Sequence, residues 1–273
     1  MSEPVHLQSR VSPPARRVDL WLGDLDRHAG FDGGAALLSV DERARAGRFH
    51  RDTDRRRFEA GRGHLRRILG RHLSVPAESI VFRYSETGKP GLDDPGDVGF
   101  SVSHSHNLLL IGLGRGVLGV DVELPRPMPD MYAVAGMVFT GKEVDWMNEG
   151  SSDGNRERFF RLWTAKESLL KGMGVGFLSD PREVEVSPTP FGFQASPSGR
   201  TGESWSMVCF TVGPEIAGEA AYGALAVPGP PPDLRAHRVP GEGTDRGAPT
   251  LASAAHPWEG PSDGLPGEPG PSG

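Results

Sequence analysis

The stretch RFFRLWTAKESLLKGMGVGF (residues 158–177) carries Phe159, Leu162, Trp163, Leu169, Leu170 and Met173 at helical spacing. At about 100° per residue these side chains share one broad face. Gly172, Gly174 and Gly176 supply a stop, because glycine is a poor helix-interior residue and a good terminator. Glu167 and Lys171 sit together on the edge of the apolar face, and Lys166 falls inside it. An ammonium in an apolar stripe is costly without an anion or a route to water, so Lys166 requires a partner. Glu167 and Lys171 admit two readings: an ordinary surface pair adding a few tenths of a kcal/mol, or part of a site.

Upstream, residues 117–123 (VLGVDVE) alternate as a strand. Leu118, Val120 and Val122 point to one side, while Asp121 and Glu123 share the other, roughly 7 Å apart along the strand. Two carboxylates on one face call for a cation, a basic partner or plain solvent. The preceding apolar run, residues 108–113, and the turn Gly114-Arg115-Gly116 predict a hairpin with this strand.

Further strands are expected at 18–25, 79–84, 98–103, 183–186, 192–195, 206–212 and 221–227. Helices are expected at 36–47 with Ser39 as cap, at 52–73, at 131–138, and after Thr140, where Glu143 completes a capping-box spacing. On the helix over 52–73, Arg56, Arg57, Arg67 and Arg71 read as a solvated basic face. Arg62 falls on the apolar side and needs an anion, from the protein or a ligand. No sequence repeat is visible. Residues 228–273 hold 11 of the 25 prolines and few large apolar side chains. Such composition does not offset ordering entropy, so a disordered tail is expected there. The net charge of −6 offers no basic field for nucleic acid. The lone cysteine, Cys209, excludes an intrachain disulfide and reads as core. With no membrane-length apolar run, a cytoplasmic protein is expected.

GVDVE at 119–123, Phe139 with Glu143, and WTAKESLLKG at 163–172 follow a set pattern: G-[IV]-D-[IV]-E, F-x-x-x-E, W-x-x-K-E-x-x-x-K. The pattern resembles that of the 4′-phosphopantetheinyl transferase superfamily. Ala60-Gly61-Arg62, Gly88-Lys89-Pro90 and Ser103-His104 resemble upstream elements of its larger, Sfp-type subgroup. The resemblance spans roughly residues 18–227, and no position of the pattern is missing. This completeness argues against a non-catalytic binder.

The resemblance implies an α+β fold made of a pseudo-twofold pair of similar halves, residues 1–118 and 119–227, with the site between them. It implies transfer of the 4′-phosphopantetheine arm of coenzyme A to a serine of an apo acyl- or peptidyl-carrier protein, releasing adenosine 3′,5′-bisphosphate. Magnesium is expected on Asp121, Glu123 and Glu167, and a phosphate contact from Lys171. Contacts to coenzyme A are expected from Arg62, Lys89, Ser103 and His104, with His104 toward the 3′-phosphate. Glu167 or Glu143 is the expected proton acceptor, and Glu143 has the equal alternative of a purely structural cap. Lys166 would find its anion in the acidic cluster. By the same analogy the protein is a monomer.

Overall fold

Val18, Leu20 and Leu22, all buried, give β1 (Arg17–Asp24) its inward face. The Ser39 hydroxyl accepts the Glu42 N–H at the start of α1 (Val40–Ala46), and Glu42 reaches back to the Ser39 N–H, a reciprocal capping box. There follow α2 (Asp52–Leu73), β2 (Phe82–Tyr84), β3 (Pro90–Leu92), β4 (Val98–Ser105), β5 (Leu108–Arg115) and β6 (Gly119–Glu123). The second part of the chain adds α3 (Met131–Val138), α4 (Gly141–Met147), α5 (Asn155–Met173), β7 (Val186–Thr189), β8 (Gly192–Ala195), β9 (Trp205–Val212), α6 (Pro214–Ala217), β10 (Ala221–Pro228), β11 (Asp233–Arg238) and β12 (Leu251–Ser253). This is a computed structural model, and it describes residues 16–27, 34–149, 151–175, 180–195, 204–239, 249 and 251–253.

Two sheets organise these elements. The first has the order β11-β1-β5-β4; the second has β6-β10-β9-β8-β7, with β12 also on β9; β2 and β3 form a separate ribbon. On the outer face of the first sheet, Leu65, Ile68 and Leu69 of α2 pack against Phe100, Leu109 and Ile111. On the outer face of the second, Phe159, Leu162 and Leu169 of α5 pack against Met207 and Ala224. The inner faces meet through Leu20 and Leu110 on one side and Val120, Val122 and Leu225 on the other. The result is an α+β arrangement in which each sheet carries one long helix.

Three sequence expectations are corrected. First, β5 and β6 are not a hairpin. β5 pairs with β1 and β4, while β6 pairs with β10 in the other sheet. The segment 116–118 carries the chain from one sheet to the next, and the apolar side chains of both strands then meet face to face across the inner core. Second, the strand expected over 79–84 is confined to Phe82–Tyr84, because Ala77–Ser79 closes a tight helical turn. Third, the Pro/Gly-rich segment is not disordered throughout. β11 runs parallel to β1 over six register pairs, from Arg17↔Asp233 to Leu22↔Arg238. Val239 is 1% exposed in the α2 core, and β12 pairs with β9. Composition misled because an edge strand takes its hydrogen bonds from β1 rather than from its own apolar content. Residues 254–273, like Gly176 and Phe177, lie outside the described residues.

Two expected elements are shifted: the strand expected at 183–186 begins only at Val186, because Pro181–Glu183 forms a helical turn, and the helix expected at 36–47 begins at Val40, after a separate turn at Ala35–Leu37. Cys209 is buried, and burial pushes its thiol up to about 12. No helix among the described residues is long and apolar enough to cross a membrane.

Candidate active site at the seam between the sheets

The edges of the two sheets, β4 and β6, come together at the centre of the molecule. α5 can lie directly on β6 because Gly119 and Gly172 have no side chains there. A Cβ at Gly119 would stand 2.0 Å from the Ser168 carbonyl oxygen and 2.3 Å from the Gly172 nitrogen. Gly174, at φ 71°, ends the helix in the left-handed region. This close approach sets Glu167 and Lys171 over Asp121.

Asp121 is 3% exposed. Its Oδ1 accepts from Lys171 Nζ at 2.6 Å and from Ser103 Oγ at 2.8 Å, and Lys171 Nζ also donates to Ser103 Oγ at 3.0 Å. Glu123 Oε2 accepts from Ser105 Oγ at 2.6 Å. The solvated-face reading of this carboxylate pair therefore fails. So does the surface-pair reading of Glu167 and Lys171: Glu167 is buried, and Lys171 binds Asp121.

The carboxyls feel one another. Burial pushes the Glu167 pKa up to about 7, the charges of Asp121 and Glu123 adding to the rise and Lys171 opposing it. Burial also raises Asp121 against the pull of Lys171, and it raises Glu123, with Ser105 opposing. Asp121 Oδ2 and Glu167 Oε1 are buried without a hydrogen-bond partner. Unsatisfied buried acceptors are expensive, and hard carboxylate oxygens of this kind suit a divalent cation such as Mg²⁺. The donor set fits the metal. Among the described residues, no three His, Cys, Asp or Glu side chains already converge as a metal-binding group. It is the Lys171 ammonium that stands against Asp121.

Lys166 does not join this cluster, which corrects the expectation. It points to the opposite side of α5 and donates to Glu143 Oε2 at 2.5 Å, both side chains being 1% exposed. Burial lowers the Lys166 pKa, and Glu143 opposes that shift. Glu143 also accepts from the N–H groups of Thr140 (2.7 Å) and Val186 (2.8 Å). It thus ties α4, α5 and β7 together and fills the structural one of its two readings.

The other expected contacts divide. Ser103 is bound into the carboxylate cluster. Lys89 Nζ turns to the end of α5 and donates to the carbonyls of Lys171 (2.6 Å), Gly172 (3.3 Å) and Leu118 (3.4 Å); burial lowers its pKa. Lys89 also lines a recess of about 230 Å³, together with Glu167 and Lys171. Next to this is a larger recess of about 590 Å³, and the two share Gly88, Pro90 and Val102 as walls. Arg62 and His104 line the larger one. Arg62 donates to Tyr84 Oη at 3.1 Å, lies 3.7 Å from Glu42, and covers the Phe82 ring at 5.3 Å. The surrounding protein, followed by Lys171, pushes the His104 imidazole down.

Sequence reasoning missed four participants. Arg45 and Arg57 also line the larger recess, although Arg57 had read as solvated; it makes a two-pronged contact with Asp26 at 2.7 and 2.6 Å. Ser101 and Ser105 are buried at the seam. Serines at 101, 103 and 105, spaced by two on one strand face, were the available signal.

Comparison with known proteins points to the same family as the motifs. Residues 117–217 match the model of the 4′-phosphopantetheinyl transferase superfamily, and residues 27–112 match that of the 4′-phosphopantetheinyl transferase N-terminal region. The chain is similar to the 4′-phosphopantetheinyl transferase HetI of Nostoc sp., at 37% identity over 197 residues, covering 70% of this chain and 81% of HetI. It is similar to a putative 4′-phosphopantetheinyl transferase of Synechocystis sp., at 34% identity over 191 residues, covering 69% of this chain and 77% of that protein. It is also similar to Sfp of Bacillus subtilis, at 27% identity over 141 residues, covering 52% of this chain and 62% of Sfp. With the carboxylate cluster lying inside the matched segments and relatives at 34–37% identity, the chain belongs to the 4′-phosphopantetheinyl transferase superfamily.

Proposed function

We propose that the chain performs its transfer at the β4–β6 seam, with coenzyme A spread across the two recesses and Asp121, Glu123 and Glu167 holding Mg²⁺. The observation that carries this reading is the pair of buried, unpartnered oxygens, Asp121 Oδ2 and Glu167 Oε1, beside Lys171. Magnesium, when bound, offsets the negative charge of the pyrophosphate being split. Lys171 is one-third exposed, which leaves it room to swing from Asp121 to a phosphate oxygen once a cation takes over that carboxylate.

A serine Oγ of the carrier protein forms the new O–P bond to the phosphorus bearing the pantetheine arm. The P–O bond to the neighbouring phosphate breaks, and adenosine 3′,5′-bisphosphate leaves with the electron pair. Of the two expected proton acceptors, Glu167 supports the role better. It faces the recess with Lys171, whereas Glu143 is taken up by three donors on the far side of α5. Arg45 and Arg62 give the larger recess the positive charge that a nucleotide phosphate needs, and His104 adds an imidazole N–H donor. Lys89 acts by holding the end of α5, and hence Lys171, in place. We assign residues 1–118 and 119–227 as the two halves that close on the site.

The test incubates the protein with coenzyme A, Mg²⁺ and an apo carrier protein and weighs the carrier by mass spectrometry. The expected result is one added phosphopantetheine, lost on chelation. A carrier left unmodified across fatty-acid, polyketide and nonribosomal-peptide types would sink the assignment. Hydrolysis of coenzyme A without a carrier would favour a phosphohydrolase instead.

A further inference from the structure

β4 and β6 are each the last strand of their sheet, and no backbone ladder joins them. Three hydroxyls span the gap instead. The Val120 N–H donates to Ser101 Oγ at 3.1 Å. Ser103 Oγ donates to Asp121 Oδ1 at 2.8 Å. Ser105 Oγ donates to Glu123 Oε2 at 2.6 Å and accepts the Leu124 N–H at 3.2 Å. The three serines are 5%, 5% and 8% exposed. Exposed strand edges must be paired or covered, and here short polar side chains cover them. The two sheets thereby meet without merging, and two of the three hydroxyls end on carboxylates rather than on backbone.

We propose that Ser105 is a positioning residue for the divalent-cation site: from the first sheet it fixes the rotamer of Glu123 on the second. The inference rests on the assignment of Glu123 as a cation ligand. Ser105 is suited to the task because one hydroxyl does two things. Its proton goes to Glu123 Oε2, and its lone pair takes the Leu124 N–H, which locks the hydroxyl's own direction. With Oε2 so held, Glu123 has Oε1 left to offer a cation. Partners that orient a metal-binding carboxylate are typically worth about 10- to 100-fold in metal affinity. Ser101 supplies the internal contrast. It bridges the same seam but touches no carboxylate. A merely structural role makes Ser101 and Ser105 equivalent, whereas a positioning role separates them.

The test titrates the purified full-length protein with Mn²⁺ alone and reads free Mn²⁺ by electron paramagnetic resonance. Ser105→Ala is expected to weaken Mn²⁺ binding about tenfold, Ser105→Thr to restore most of it, and Ser101→Ala to leave it unchanged while lowering the melting temperature. Glu123→Gln is the control for the underlying assignment and is expected to weaken binding at least as much as Ser105→Ala. If Glu123→Gln weakens binding and Ser105→Ala does not, the positioning role is overturned and the cation site stands. If Glu123→Gln binds Mn²⁺ like the parent protein, the cation assignment falls and takes the positioning role with it. If Ser101→Ala and Ser105→Ala weaken binding equally, the seam acts only as a structural joint, and the proposal is overturned. Should circular dichroism show Ser105→Ala to be unfolded, Ser105→Cys, a poorer donor of similar size, replaces it with the same expectation and the same overturning result.

Discussion

In the first half, a Ser39 capping box opens α1, and its Glu42 accepts from Arg66 of the long helix α2 at 2.8 Å, both side chains 1% exposed. In the second, a Thr140 capping box opens α4, and its Glu143 accepts from Lys166 of the long helix α5. The same device thus appears twice: a cap glutamate, fixed by its own helix, receives a buried cation from the next one. The following position is Arg67 in α2 and Glu167 in α5; further along, Arg71 is exposed whereas Lys171 lies on Asp121. What differs is the strand underneath. α2 rests on Leu109 and Ile111, which present no charge, while α5 rests on β6 with Asp121. The fold is doubled, but the buried carboxylate cluster belongs to the half whose strand carries Asp121 and Glu123 and whose glycines let the helix come close.

The largest expected effect addresses what the halves share. Arg66→Met and Lys166→Met each remove the hydrogen-bonded cation from a buried carboxylate, and each should cost about 3–5 kcal/mol in urea denaturation. A marked inequality between them would break the parallel. Next comes what the halves do not share. Glu167→Gln should lower kcat/KM for carrier modification by about 10²- to 10³-fold, the usual consequence of losing a charge-stabilising contact, with the circular dichroism spectrum unchanged. Arg67→Gln, at the matching position of α2, should leave turnover near that of the parent protein.

A third effect reads the electrostatics directly. The Glu167 pKa rises from 4.5 to about 7 on folding. Between those values the folded protein holds a proton that the unfolded chain has released, so stability falls as pH rises through that window. In a chelator, the loss attributable to Glu167 should reach roughly 3 kcal/mol at full expression. Glu167→Gln should flatten the pH profile of the unfolding free energy, and added Mg²⁺ should restore stability at the alkaline end. The smallest effect concerns the C-terminal segment, which pairs with both sheets. Val239→Ala removes buried methyls from the α2 core and should cost about 2 kcal/mol, with the rate of transfer unchanged. No loss in thermal unfolding would detach β11 from the first half's stability.

Much of this was legible in order along the chain. Ser39 and Thr140 announced their helices because capping is local: a hydroxyl three residues from a glutamate needs no distant partner. Asp121 and Glu123 fell on one strand face by alternation alone. Arg62 and Lys166 could be recognised as cations in need of anions, since burial penalises any unpaired charge. Partner choice could not be read. The anion expected for Lys166 was the acidic cluster, and only the packing of α4 under α5 gives it Glu143 instead. The β5–β6 hairpin failed for a related reason. A glycine turn says that the chain changes direction, not which sheet it enters next.

Sequence alone therefore determined the helices, their caps, the strand bearing two carboxylates and the family, all of which rest on neighbours within a few residues or on a fixed order of motifs. Tertiary structure alone decided that β4 and β6 meet edge to edge through serine hydroxyls, that Arg45 and Arg57 line one recess together, that Lys89 secures the end of α5, and that a proline-rich tail supplies an edge strand. Each of these depends on contacts between residues far apart in the chain. Their free energy comes from which surfaces exclude water together, and spacing along one strand or helix does not encode that.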